Sequence, residues 1–600
     1  MKKIVGGLIL LSGLSASWAQ TQTFTPPALE QQLARVENYL FNDEYEKAAL
    51  LAERLYPEHK TNRRLYGLLK SAYLGLKEFV KLEGLMAEQL ALSPTNKELY
   101  LDQLEIHLRQ GAPEKAEAAA KTYLTLAAKD TLSYLNLANR YLAAGYAEEA
   151  IKIYQSARKT LLQPALFASS LAETYRSLRR WREALEEYLN GLAAEPANGS
   201  ILPRLTSLMG DLPADDPAIG PFLDQLLAKK PSPLHYRLKG EWELRQGHYD
   251  GALAAYEEAD RRGERDGRLL LELARKISLT NPEKMTSLSA SYERRYARSP
   301  ELPQLYFLLA RAQTRLGDFW AARATYEKIL ATTPLANDKV QANFELAGLM
   351  LDGLDRPESA LVFIEKVGDL FPTVKGPASL LRAKALAALD RFEEARQLLS
   401  QISGQSPAWR EETAFLTAEW DFYFLNFAEA ERKYTALLDA FPRGERANDA
   451  LRRLALLKNF GLSKESSLSL FALFLKNLAQ FNEKEAAVRM AGLEGASPDL
   501  AAEANYSWGI YLSGKKRLPE AESAFTKIKT VYAKTPQAPL ALEKLGELAE
   551  ASRRPEAAKS QYETVLESYP DAVNAESVRG KLRRLRERTP EKPQKTEGKS

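Results

Sequence analysis

Seven residues of this chain fall at equal steps. Ala48, Leu82, Ala116, Ala150, Ala184, Ala218 and Ala252 follow one another at intervals of 34 residues. A fixed period of this length marks a chain built of one supersecondary unit repeated and stacked, each unit burying its apolar face against its neighbours. The spacing around the periodic residue is helical. A ring or turn residue stands three positions before it and an aromatic four after, as in Trp181-Ala184-Tyr188, Tyr249-Ala252-Tyr256, Phe319-Ala322-Tyr326 and Phe427-Ala430-Tyr434. Leu518-Ala521-Phe525 and Pro555-Ala558-Tyr562 are close relatives of the same pattern. Side chains three and four apart share a helix face, so each triplet projects together. The series continues with looser spacing through Ala322, Ala360, Ala395, Ala430, Ala521 and Ala558.

Further positions keep the phase. Upstream of the small residue stand Leu137-Ala138, Leu171-Ala172, Leu309-Ala310 and Leu545-Gly546, with Tyr141 and Tyr175 following the first two. Twelve residues after it come Pro94, Pro196, Pro334, Pro372, Pro407, Pro442 and Pro570, each placed to stop a helix. Gly111, Gly145, Gly247 and Gly317 sit where a tight turn would join two helices. Taken together these residues resemble the tetratricopeptide-repeat (TPR) family, over residues 28 to 585. The resemblance implies an all-α fold, a right-handed superhelical solenoid of about fourteen helix-turn-helix repeats, in which an A helix and a B helix pack antiparallel. It also implies a protein-binding role carried by a concave groove.

The repeats divide the chain as follows. Residues 28–196 form an N-terminal array, and 197–231 a degenerate proline-rich unit, with Pro203, Pro213, Pro217, Pro221 and Pro231, expected to be distorted. A central array spans 232–460; within it 276–300 is weak, and Met285 is the candidate for the small-residue slot. Residues 461–500 read as irregular helix, 501–572 as a C-terminal pair of repeats and 573–588 as a capping helix. Residues 589–600 form a basic tail expected to be disordered.

The first residues differ from the rest. Lys2 and Lys3 precede the apolar run Ile4 to Leu14, and Ser17 and Ala19 supply small residues at the −3 and −1 positions of a cleavage site. This is the pattern of a secretory signal peptide, residues 1–19, with 20–27 as a linker. It predicts an exported, periplasmic protein with no transmembrane helix in the mature chain. The chain has no cysteine, which excludes disulfides, Cys-based zinc sites and lipidation at a lipobox cysteine. The repeat style of the C-terminal half, with Phe441-Pro442 before Ala447, Ala450 and Leu454 and Tyr569-Pro570 before Ala575, Val578 and Leu582, resembles TPR proteins of the bacterial envelope.

Catalytic chemistry finds little footing. The histidines are His59, His107, His235 and His248, and no two stand at the spacing of a helical zinc site. Gly509 to Lys516 (GIYLSGKK) satisfies GxxxxGK, but it carries Lys516 where a phosphate loop needs Ser or Thr, and it lies in a helix and its turn. Asp215 and Asp216 sit in a proline-rich loop without a partner base. Asn198 and Asn505 begin N-x-S sequons with no expected use. No enzyme, cofactor or metal is expected. A net charge of +4 gives no global case for nucleic acid.

Recognition is the remaining class. The family's carboxylate clamp for peptide C termini is not filled: the matching slots hold Leu101 and Glu105, then Asn136, then Leu166 and Ser170, and only Asn136 fits. Candidate binding residues are Trp242 and Trp420, which with Phe422 are placed to line a groove, and Arg583 and Arg584 on a final helix that also carries Arg579, Lys581, Arg586 and Arg588. These expectations lead to an exported scaffold for an envelope assembly, secretion or division complex. The alternative is an organiser of exported polysaccharide. The basic C-terminal end is the candidate contact for an anionic envelope polymer or membrane surface.

Overall fold

The computed structural model describes residues 27–127, 129–263, 265–367, 372–405, 409–461, 463 and 466–588. The expected signal peptide, all but the last residue of the linker, and the tail from 589 lie outside these residues, as does Pro407. The described residues hold 32 α-helices and no strand. Fourteen pairs of consecutive A and B helices pack along one another as hairpins. Of the remaining four, Ala447–Phe460 and Ala575–Arg588 have no B partner, and Ile201–Asp211 and Ile219–Lys229 follow one another without packing as a hairpin.

The sequence pattern explains the hairpins. Side-chain oxygens cap A helices at their starts: Asn62 accepts from the Leu65 amide at 3.0 Å and Asp130 from the Leu132 amide at 3.1 Å. Ser232 and Ser497 do the same ahead of Pro233 and Pro498, whose missing N–H costs nothing in the first turn. Most A helices end on a residue of left-handed backbone, after which an amide donates five residues back. Ala112 donates to the His107 carbonyl, Asp318 to Gln313, Asn482 to Asn477 and Arg517 to Leu512. Gly111, Gly145, Gly247 and Gly317 hold that position in four hairpins, and Asp355, Asp390, Leu425, Phe481, Lys516 and Arg553 hold it elsewhere.

The chain forms two compact units, Met1–Ala228 and Lys229–Ser600. In the first, Ala48, Leu82, Ala116, Ala150 and Ala184 are all fully buried. Ala218 is not. It is exposed, and Ile219 beside it opens the helix Ile219–Lys229 and is buried instead, so the period slips by one residue here. That helix and Ile201–Asp211 do not lie along each other as the other pairs do. In the second unit Ala252, Ala322, Ala360, Ala395, Ala430, Ala521 and Ala558 are buried, and Met285 fills the slot in the 276–300 unit. Residues expected to be irregular around 461–500 include the hairpin Ser467–Ala479 and Glu483–Ala496, with Ala486 in the buried slot. The extra helix Ala447–Phe460 is what broke the period between Ala430 and Ala521. Pro372, expected to follow a B helix, opens the next A helix, Pro372–Ala388.

The rings and the small residues meet across each hairpin. A Cβ on Gly240 would lie 2.5 Å from the Tyr256 ring, on Gly509 2.6 Å from Phe525, and on Gly546 2.3 Å from Tyr562. Three of the buried tyrosines place their hydroxyls on acidic residues of the A helix: Tyr256 on Glu241 at 2.6 Å, Tyr188 on Glu173 at 2.5 Å and Tyr562 on Glu550 at 2.5 Å. Such a partner offsets the cost of taking a phenol hydroxyl out of water.

Candidate docking cavity

Within the second unit, hairpins far apart in sequence touch through their A–B turns. Lys515 donates to the Asp352 carbonyl at 2.7 Å and pairs with the Asp355 carboxylate. Lys476 pairs with Asp390 at 3.1 Å, and Gln480 donates to the same carboxylate at 2.8 Å. Arg553 donates to Glu283 at 3.2 Å. Phe481 packs on the core built from residues 256 to 388. At every ion-paired crossing the acid comes from the N-terminal arm of the unit and the base from the C-terminal arm, and the crossings run in opposite chain order.

The Lys515 crossing borders a partly open cavity of about 580 Å³. One arm contributes Arg311 and Thr314 from the A helix Leu302–Leu316, Phe319 and Tyr326 from the B helix Phe319–Thr332, and Phe344 and Glu345 from Ala336–Gly348. Leu380 and Lys384 of Pro372–Ala388 and the ring of Trp409 complete that side, and Gly514 and Lys516 come from the other arm. The A helix Ala336–Gly348 runs on into a π-helical turn, Leu349–Gly353, closed by the Leu354 amide on the Leu349 carbonyl at 3.0 Å. This turn brings Asp352 to the cavity; π-turns of this kind recur at functional sites. Glycines admit two of the rings. A Cβ on Gly353 would lie 3.0 Å from Phe319, and one on Gly376 2.3 Å from the Trp409 indole nitrogen.

The charges are unevenly satisfied. Arg311 pairs with Glu345 at 2.8 Å, and Lys384 with Glu412 at 3.1 Å. Burial outside the cavity opposes ionisation of Glu412, yet Arg446 at 2.6 Å and Lys384 outweigh it and hold the carboxyl below its usual range. Asp352 opens onto the cavity while protein surrounds it on the other sides, and this desolvation pushes its carboxyl up against the pull of Lys384 and Lys515. Lys516 pairs with no carboxylate among the described residues. Apolar walls with a few convergent charges suit recognition of a group that is part ring and part ion.

The residues singled out from sequence lie elsewhere. Trp242, in the helix Pro233–Arg245, is 5% exposed, and Trp420 is 3% exposed with its ring edge-on to Phe392 at 5.7 Å. Both rings, and that of Phe422, are core, so none lines a groove; their spacing on A helices fits packing as well as display. Arg583 and Arg584 are exposed on the helix Ala575–Arg588, whose Val578, Leu582 and Leu585 are buried. Lys581 on the same helix is engaged by Glu543 at 2.6 Å and by Glu547. His107 is buried beside Gln110 at 3.1 Å, and Asn505 is buried with its amide on the Ala501 carbonyl. Gly509 serves ring packing and Lys515 the inter-arm contact, so the GxxxxGK match has a structural explanation. Among the described residues there is no group of His, Asp and Glu suited to a metal, and no helix long and apolar enough to cross a membrane. Sequence reading passed over Arg311, Glu345, Asp352, Lys384 and Trp409; the charge alternation between the turns at Asp355 and Asp390 and those at Lys515 and Arg553 was the available signal.

Comparison with known proteins agrees with the repeat geometry. A family model described as "Tetratricopeptide repeat" matches residues 303–334, which are the hairpin Leu302–Leu316 and Phe319–Thr332 at the cavity wall. No curated protein matches the chain. Among solved structures, the crystal structure of yeast Tom70 is similar at 14% identity, with 63% of this chain and 92% of that chain covered and a TM-score of 0.23. The APC/C hetero-tetramer Cut9-Hcn1 shows 10% identity, 92% and 95% coverage and a TM-score of 0.20. Naa15/Naa10 bound to HypK-THB shows 14% identity, 93% and 96% coverage and 0.22. With the family model seated on one hairpin and the same packing of ring on small residue repeated in those around it, the described residues have the all-α fold of stacked tetratricopeptide-type hairpins, one of which, residues 303–334, matches the repeat itself.

Proposed function

We propose that this chain is a scaffold that holds other proteins, that the cavity of its second unit is a principal docking place, and that it works in the periplasm as part of an envelope assembly. The observation that carries the docking reading is the cavity itself, walled by Phe319, Phe344 and Trp409 and flanked by charges. Repeats of this kind leave a continuous surface open after their cores are filled, and such surfaces commonly take a helix or an extended segment of a partner. Export is supported by Lys2, Lys3, the run Ile4 to Leu14, and the small residues Ser17 and Ala19.

The test is site-specific photocrosslinking of the full chain in cells, with p-benzoylphenylalanine placed at Phe344 in the cavity wall or at Trp320, which is 57% exposed and outside the cavity. Protein adducts at position 344 that are absent at 320, recovered from the periplasmic fraction, are expected. Adducts of polysaccharide alone at 344, or no adduct at either position, would overturn the scaffold reading. Recovery of the chain from the cytoplasm alone would overturn the export reading.

A further inference from the structure

The cavity is assembled from both arms of the second unit. Its floor and aromatic walls belong to the hairpins between Leu302 and Trp409, while Gly514 and Lys516 reach in from a turn more than a hundred residues downstream. Lys516 stands beside Gly317, the neighbouring Lys515 being fixed to the Asp352 carbonyl and to Asp355. Arg311 and Lys384 already have carboxylate partners in Glu345 and Glu412, so the cation left for a ligand is Lys516. The apolar surface nearby is aromatic: Phe319, Phe344 and Trp409, backed by Leu349 and Leu380. A volume of about 580 Å³ exceeds what one side chain fills and lies within the range of pockets that enclose a compact ligand.

We propose that this cavity binds an aromatic residue followed by an acidic one in a segment of a protein partner, the ring entering among Phe319, Phe344 and Trp409 and the carboxylate pairing with Lys516. The inference rests on the scaffold reading above and specifies the chemistry of its docking place. Aromatic rings stack and meet edge to face in such surroundings, and a carboxylate supplies the charge-assisted partner that Lys516 lacks. The ligand bridges the two arms. Occupancy and closure of the arms are therefore linked, and each favours the other by the same factor.

Fluorescence anisotropy of the full chain tests this with labelled ten-residue Gly/Ser peptides carrying Trp-Glu, Trp-Lys or Ser-Glu at their centre. Trp-Glu is expected to bind about tenfold more tightly than either of the others, since Trp-Lys forfeits the ion pair and Ser-Glu the ring. Lys516→Glu should remove that advantage and favour Trp-Lys. Lys515→Glu, which touches no ligand atom, should weaken Trp-Glu by a similar factor by loosening the arms, and circular dichroism will establish that it remains helical. Should Lys515→Glu misfold, the exposed Lys516→Glu still decides the matter. Equal binding of the three peptides, or no change in Lys516→Glu, would overturn the assignment. If crosslinking at Phe344 still captures protein while no peptide preference exists, the scaffold reading stands and this chemistry falls; if crosslinking fails as well, both fall.

Discussion

Lys515 donates to the backbone carbonyl of Asp352 at 2.7 Å across 163 positions of sequence. The ammonium lies 4.5 Å from the centre of the Phe481 ring and its side chain is only 8% exposed, so its charge is held in place by the carbonyl, the Asp355 carboxylate and the ring. A repeat array governed by neighbour packing alone would have no such link.

Reversing that charge should separate the arms. Lys515→Glu places a carboxylate against Asp352 and Asp355, and the second unit should lose about 2 kcal/mol, less than the roughly 3–5 of a fully enclosed pair because Asp355 is partly open to water. The double variant Lys515→Glu with Asp355→Lys should recover part of the loss. Hydrogen exchange of the segments around 352–356 and 514–517 will report it; equal exchange in the single variant and the parent would refute the link.

The hairpins were legible in the sequence because their determinants are local. Ala184 and Tyr188 lie on one helix face, and the distance between such triplets fixes the repeat. Ala218 kept the phase yet missed the core, since proline-rich connections moved the helix start to Ile219 by one residue. The turn residues were half legible. Gly317 announces left-handed backbone, whereas Asp355, Phe481 and Lys516 adopt it without any compositional sign. The cavity was legible only through the charge alternation of those turns. It depends on small rotations between successive hairpins, accumulated over many units, and on charges such as Arg311 and Lys384 that look like ordinary surface residues until Lys516 arrives opposite them.

The unpaired helix Ala447–Phe460 is held by a buried charge network. Arg453 donates to Glu419 at 2.7 Å, lies 3.6 Å from Glu503, and stands over the rings of Phe422 and Phe471. Arg453→Met keeps the volume but leaves Glu419 uncompensated, so a loss of about 3–5 kcal/mol is expected. Thermal unfolding followed by exchange in 447–460 will measure it. A change under about 1 kcal/mol would mean that packing alone positions this helix.

Two positions at one phase of the repeat should respond oppositely. Ala184 is fully buried between its helices, and Ala184→Leu should cost about 1–3 kcal/mol by overpacking. Ala218 is exposed, and Ala218→Leu should stay within about 0.5 kcal/mol. Exchange rates of peptides covering 168–194 and 201–229 separate the two cases, and similar costs at both sites would contradict the one-residue slip.

Acid should strike first at the carboxylates that the fold keeps ionised. Glu503 is 1% exposed; burial opposes its charge, but Arg452 and Arg453 outweigh that and hold its carboxyl below the usual glutamate range. A group whose folded pKa is depressed binds fewer protons folded than unfolded, so its stabilisation is complete above the unfolded value and disappears as pH falls through the folded one. The second unit should therefore keep this contribution at neutral pH and lose it below the normal glutamate range. Glu503→Gln should be less stable than the parent at pH 7, since Arg453 and Arg452 lose a charged partner, and the difference should shrink on acidification because the parent then carries a neutral side chain as well. Urea unfolding of both proteins at pH 7 and pH 3 measures the two gaps. A gap that stays constant with pH would show that Glu503 acts through shape and hydrogen bonding to Gln537, at 2.8 Å, and not through its charge.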